Sequence, residues 1–205
     1  MANSKKYRMS FTTGSLLHLE SVRLAELYVE IGCWKEVSAQ ALESNLLQSR
    51  TQRTLKKICR EVVARLKHLS AEELEFLIAS DRQDQGYTLW LAVCRHYRFI
   101  GDFAIEVLHE RFISLKGDVQ YEDYETFFNR KAQWHDELDV LSKLTQNKLR
   151  QVLFKMLRDA GLLASNSTII PAFPSSKLIK LIVRGNPAQL QFFPIFESYL
   201  MRQAL

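Results

Sequence analysis

The chain is short of helix breakers, with seven Gly and four Pro in 205 residues. That scarcity excludes collagen-like and low-complexity classes and fits a mostly helical protein with short connections. Cysteine is also sparse. Cys33, Cys59 and Cys94 are odd in number and far apart, which excludes a disulfide framework and a metal knuckle and points to a reducing cytoplasm. No apolar run approaches the roughly 20 residues a membrane span needs. The most apolar late window, Leu178 to Val183, is broken by Lys180 and bounded by Arg184, so no membrane partner is expected. Lys5, Lys6 and Arg8 are not followed by an apolar stretch, so no secretory signal is read. There is no Gly-rich phosphate loop, no Gly-x-Ser-x-Gly elbow and no dinucleotide fingerprint, so neither an enzyme nor a cofactor is expected.

What is present is core material and unevenly distributed charge. Hydrophobic residues make up 47% of the chain, and the net charge is +5. Residues 1–69 hold twelve Lys and Arg against six Glu, residues 70–140 seven basic against fifteen acidic, and residues 141–205 nine basic against two acidic. Two basic lobes of +6 and +7 therefore flank an acidic middle of −8. Such asymmetry suggests a polyanionic partner.

The stretch Ser49 to Leu69 concentrates this signal. Leu55, Ile58, Cys59, Val62, Leu66 and Leu69 recur at three- and four-residue steps, lining one helical stripe. Arg53, Lys56, Lys57, Arg60 and Lys67 follow the same period on a stripe roughly 160° away. Glu61 is its only acid. Solubility alone does not ask for a face of one sign. Ser49 or Thr51 can cap the helix, and its first turn offers Arg, Gln and Thr, side chains that reach phosphates and base edges. Before it, Thr12 or Thr13 can open a long helix ending at Gly32, Trp34 to Glu43 makes a short one, and Asn45 serves the turn. A long helix, a short helix, a turn and a basic helix is the order of a helix-turn-helix unit. Residues 1–10 read as a loose arm.

The middle segment reads as packing. Ser70 caps a helix with Glu72 and Glu73 in its first turn, Asp81 to Gly86 reads as a polar turn, and Tyr87 to Ile100 as a core helix. Asp102 is placed as the cap of a helix from Phe103 to Leu115, and Tyr124, Phe127 and Phe128 form an aromatic face. A second basic helix, capped by Thr145 and stopped by Gly161, turns Leu149, Val152, Leu153, Met156 and Leu157 inward and Lys148, Lys155 and Arg158 outward, with Arg150 at the flank. Leu162-Leu163 and Ile169-Ile170 then read as a short β hairpin, the wing of a winged helix. Ala188 to Leu205 reads as a helix bent at Pro194. The expected fold is all-α, a globular multi-helix protein with two helix-turn-helix-like units, the second with this wing, around a helical core. Its segments are 1–69, 70–135 and 136–205.

Candidate chemistry is thin. Paired carboxylates can position Mg²⁺ for nuclease work, but His135, Asp136, Glu137 and Asp139 lack the usual lysine partner and read as a helix start with anions at its positive end. Cys94-Arg95-His96 reads as a buried thiol beside a hydrogen-bonded imidazole.

The segments Ser10-Phe11-Thr12-Thr13-Gly14, Asn45-Leu46-Leu47, Leu91-Ala92-Val93-Cys94-Arg95, Tyr97-Arg98-Phe99-Ile100, Asp102-Phe103-Ala104, Phe127-Phe128-Asn129 with Lys131-Ala132 and Trp134-His135, and Lys148 to Leu153 through Gly161-Leu162-Leu163 together resemble the BrxA family of bacteriophage-exclusion (BREX) defence systems, from Ser10 to about Arg184. The resemblance implies an all-helical, non-enzymatic core component of a phage-resistance system that marks host DNA by methylation, binding double-stranded DNA through helix-turn-helix units. It also implies RNA as an alternative partner, since the family has been likened to the NusB antitermination proteins. Other BREX subunits, the methyltransferase among them, are the partners of an adaptor reading in which the acidic middle, with Glu122, Asp123 and Glu125, makes the contact. The expected DNA-contacting residues are Arg50, Arg53, Lys56, Lys57 and Arg60 in the first basic helix, and Lys148, Arg150, Lys155 and Arg158 in the second. Phosphate contacts of this kind give affinity without sequence choice.

Overall fold

The computed structural model describes residues 6–12 and 14–203. It is all-helical, and among the described residues β structure is limited to two isolated bridges. The helices α1 (His18–Ile31), α2 (Trp34–Glu43) and α3 (Gln52–Leu66) pack on one another. Next come α4 (Ala71–Ala79) and α5 (Arg82–His96). A continuous rod then runs through α6 (Arg98–Phe103), a π-helical stretch Ala104–His109 and α7 (Glu110–Ile113). The chain closes with α8 (Tyr121–Ala132), α9 (Asp136–Asp139), α10 (Lys143–Asp159), α11 (Ser176–Gly185), a 3₁₀ turn Pro187–Phe192 and α12 (Glu197–Gln203).

The central helix is α5, against which α1, α3, α4, α6 and α10 all pack. Its residues Thr88 to Cys94 are buried on every side, and Trp90 donates its indole N–H to the Phe192 carbonyl at 2.9 Å. Phe99, at the start of the rod, meets Tyr7, Phe11, Tyr124, Phe127 and Phe128 with ring centroids 5.1 to 6.1 Å apart. Edge-on and stacked contacts of this kind add stability beyond the area they bury. The buried apolar residues form one cluster from Tyr7 to Ile195, so segments 1–69, 70–135 and 136–205 share a single core.

Several local expectations hold. The Thr51 hydroxyl accepts from the Thr54 amide and caps α3. Ser70 and Glu73 close a capping box on α4. Gly32 ends α1 at φ 75°, and Asn45 sits at φ 48° in the turn before α3. Others are overturned by tertiary contacts. Of the loose arm expected over residues 1–10, residues 6–10 are held against the core, and residues 1–5 lie outside the described residues. Tyr7 is buried, donates its amide to Glu137 Oε1 at 2.6 Å and stacks on the His135 ring at 3.9 Å, and Phe11 is wholly buried. The first helix starts at His18 rather than beside Thr12, and Thr13 lies outside the described residues. The chain ahead of it is held from outside: Arg65 Nη1 donates to the Ser15 carbonyl, the Leu16 amide donates to Asp159, and Leu17 takes φ 57°.

Asp81 does not open a turn. Its carboxylate caps α5 directly by accepting from Gln83 and Asp84, and Gly86 lies inside that helix, packed close to the Ala160 backbone. Asp102 lies within the rod, where it accepts from the Tyr7 hydroxyl at 2.5 Å, so it caps nothing. Ser142, not Thr145, caps α10. The wing reduces to a bridge between Leu163 and Ile169, because residues 167–170 divide their hydrogen bonds between residues 162–164 and 117–119. The last segment is a 3₁₀ turn, an extended stretch through Pro194 and the short α12, rather than one bent helix.

Candidate nucleic-acid interface

Helix α3 is amphipathic in the way its period requires. Leu55, Cys59, Val62 and Leu66 are buried, while Arg53, Lys56, Lys57 and Arg60 are exposed within an arc of about 100°. Arg50, just before the cap, is exposed as well. Among the described residues, none of these five forms an ion pair with a carboxylate.

The reason lies in Glu61, the helix's lone acid. It is turned inward. Its Oε1 accepts from Arg65 Nε at 2.8 Å and from the Tyr97 hydroxyl. Arg65 is itself buried, with Nη1 on the Ser15 carbonyl at 3.0 Å. Burial and the neighbouring Glu61 push the Tyr97 phenol well above its ordinary range, so it stays a donor. The one available counter-charge therefore neutralises a buried arginine, and the outer cations are left uncompensated.

Helix α10 divides differently. Lys148 and Lys155 are exposed and Arg158 is half-buried, and no ion pair is formed by these three among the described residues. Arg150 has turned to the acidic middle instead. Its Nη1 pairs with Glu125 Oε1, its guanidinium lies 4.5 Å from the Tyr121 ring centre, and Lys143 reaches the other oxygen of Glu125 at 3.3 Å. It ties α10 to α8. The sequence could not show this, since Glu125 lies 25 residues away and the residue sits at the edge of the basic stripe.

Two members of the acidic group before α10, His135 and Glu137, hold each other and the N-terminal segment. His135 is buried with Nδ1 2.9 Å from Glu137 Oε1, and among the described residues no cluster of three His, Cys, Asp or Glu side chains suits a metal ion. Cys94 is buried, and burial pushes its thiol well up.

Sequence reasoning missed a through-space histidine pair at the C-terminal end of α3. His96 Nδ1 lies 3.0 Å from His68 Nε2, and Arg8 Nη1 lies 3.2 Å from His96 Nε2. Arginine can only donate. In the neutral pair His96 therefore accepts at Nε2 and donates from Nδ1 to His68. Burial, then His68 and Arg8, lower His96 to about 4, against a smaller opposing pull from Glu61; Arg65 adds to the lowering. Burial, Arg95 and Arg8 lower His68 too. The two residues are 28 apart in sequence, so no spacing signal exists.

The sign of the linkage is fixed. Between pH 6.5 and 4 the unfolded chain takes up the His96 proton and the folded chain does not, so stability falls as pH falls through that window. The loss is expected to be on the order of 2 kcal/mol. Urea unfolding at pH 7 and pH 4.5 checks it: His96→Gln should narrow the difference between the two pH values, and an unchanged difference would remove His96 from the account.

The fold and this surface define an all-helical protein whose N-terminal three-helix unit presents an uncompensated basic helix. The BrxA family profile matches residues 5–186, and the chain belongs to the BrxA family. It is similar to the BREX protein BrxA of Bacillus cereus (strain H3081.97), 26% identical over 163 residues covering 80% of this chain and 82% of the relative. It is likewise similar to the BREX protein BrxA of Escherichia coli O9:H4 (strain HS), 24% identical over 162 residues covering 78% and 75%. The crystal structure of an uncharacterized protein from Magnetospirillum magneticum shares the fold, with TM-score 0.78 and 19% identity over 92% of this chain and 98% of that one. No described helix is long and apolar enough to cross a membrane.

Proposed function

We propose that this chain is a non-enzymatic, double-stranded-DNA-binding component of a BREX phage-defence system, acting in the cytoplasm. The observation that carries the reading is the α3 surface, where five exposed cations stand together while the only acid of the helix is half-buried and paired with the buried Arg65. The α1–α2–α3 unit supplies a helix-turn-helix-like arrangement, with α3 as the element that meets the duplex and Arg50, Arg53, Lys56, Lys57 and Arg60 on phosphates. On α10 the role falls to Lys148, Lys155 and Arg158; Arg150 is committed to Glu125.

Salt dependence is the test. If α3 neutralises five phosphates, log K falls with log salt at a slope of about −4.5, a loss of roughly several hundred-fold between about 50 and 200 mM. A gel-shift titration reads this directly, and a slope near zero would rule out a phosphate-led interface. Matched structured RNA in the same assay ranks the two nucleic acids, and a preference for RNA would overturn the choice of duplex DNA.

Other BREX subunits are the proposed protein partners. Trp134, Val140 and Leu144 support such contacts, because all three are about four-fifths exposed around α9, and large apolar side chains grouped in that way favour association. Trp134→Glu should reduce co-purification with those subunits while leaving the gel shift intact; undiminished recovery would move the contact elsewhere.

A further inference from the structure

Between the C-terminal half of α3, helix α2 and the N-terminal segment lies a cleft of about 540 Å³. Arg8, Lys56, Arg60, Lys67, His68 and His96 line it, and none of the lining residues is acidic. We propose that this cleft binds a phosphate-bearing ligand of nucleotide size.

Four permanent cations converge there with no acidic residue in the lining. Arg8, Lys56, Arg60 and Lys67 are all exposed at the cleft, and among the described residues none forms an ion pair. Mutual repulsion disfavours that grouping unless an anion relieves it. Glu61, which acts on His96 from nearby, is bound to Arg65 and Tyr97. Lys56, Arg60 and Lys67 recur at four and seven residues along α3, so one helical face presents all three to the same space. Arg8 reaches the cleft because Tyr7 is pinned by its amide to Glu137 and by its hydroxyl to Asp102.

His68 supplies a directed donor, since its Nε2 accepts from His96 and its Nδ1–H remains to be shared. Burial first, then neighbouring charges that include Arg8, disfavours the protonated form of both rings, and hydrogen bonds join Arg8 through His96 to His68. A phosphate oxygen among these groups can accept from guanidinium, ammonium and imidazole together, and such charge-assisted bonds are the strong kind. Leu42, Val63 and Ala64 add apolar wall, which gives a sugar or base a surface to lie on. The volume falls within the range of small-molecule sites, about 300 to 1,000 Å³.

The cleft shares Lys56 and Arg60 with the proposed duplex surface but not Arg50, Arg53 and Lys57, so substitutions at the latter three test the two apart. The same chemistry is offered by a free nucleotide and by a 5′-phosphate at a nucleic-acid end, and the test distinguishes them. Calorimetric titration of the full chain with pyrophosphate, ATP and adenosine at low salt is expected to show binding of the first two, in competition, and none of the third. Histidine ring resonances should shift with the same titrants. Lys67→Glu with His68→Ala should weaken both by about tenfold or more, while Arg53→Glu with Lys57→Glu should leave them within about threefold. A short duplex that displaces ATP from the Arg53/Lys57 variant more strongly when its 5′ end is phosphorylated identifies a nucleic-acid end as a source. Silence with both pyrophosphate and ATP at millimolar concentration overturns the proposal. So does adenosine binding as well as ATP, or undiminished binding by the Lys67/His68 variant. Loss of duplex binding in the Arg53/Lys57 variant, with ATP binding intact, separates this site from the duplex reading.

Discussion

Replacing Arg50, Arg53 and Lys57 together by Glu is expected to lower duplex affinity by roughly 10³-fold at low salt and to reduce the salt slope by about three. The size follows from counting charges. Each substitution removes a phosphate contact and places a carboxylate where that phosphate would sit, and a loss of about 1.4 kcal/mol per site compounds to that figure. The fold should not change. All three side chains are exposed and form no ion pair among the described residues, and the cap from Thr51 to Thr54 is untouched. A glutamate in the first turn would even favour the helix dipole. Circular dichroism should therefore match the parent while the gel shift disappears. If the variant keeps full affinity, the duplex lies on another surface, and Lys148, Lys155 and Arg158 on α10 become the first to test.

The sequence was most readable where the determining contacts are local. The apolar and basic stripes of α3, its Thr51 cap, the capping box on α4 and the Gly32 stop all depend on residues within one or two turns. Where the two readings part, a distant group has intervened. Asp159 and Arg65 take up backbone groups of residues 15 and 16, and so hold back the start of α1. Tyr7 occupies the carboxylate of Asp102, leaving that residue a core partner rather than a cap. Arg150 looks like a flanking cation from its neighbours and becomes a strut through Glu125. The same limit applies to the surface itself. Composition shows that Glu61 is alone among cations, but only the fold shows it facing inward. His68, His96 and Arg8 meet through three separate segments, and nothing in their spacing announces it.

Arg95→Ala is expected to cost about 3–5 kcal/mol of folding free energy, a large share of the 5–15 kcal/mol typical of a domain. Arg95 binds Glu73 through two parallel bonds of 2.6 and 2.8 Å, donates from Nε to Gln189 at 3.0 Å and from Nη1 to the His68 carbonyl at 2.9 Å. One guanidinium thus joins the end of α5, the start of α4, the chain just past α3 and the 3₁₀ turn. Glu73 is almost wholly buried, and its Oε2 also accepts from the Ser70 amide at 2.8 Å. Removing the arginine strands a buried carboxylate, which costs far more than the pair contributes net. The double variant Arg95→Met with Glu73→Gln should be less destabilised than Arg95→Ala alone, because it leaves no buried charge and Gln can still serve the capping box. Urea midpoints for the two variants decide the matter. A loss below about 1 kcal/mol for Arg95→Ala would mean the pair behaves as a solvated surface contact, and the anchoring of the α3 end, on which both the basic face and the adjoining cleft depend, would have to come from the apolar stripe alone.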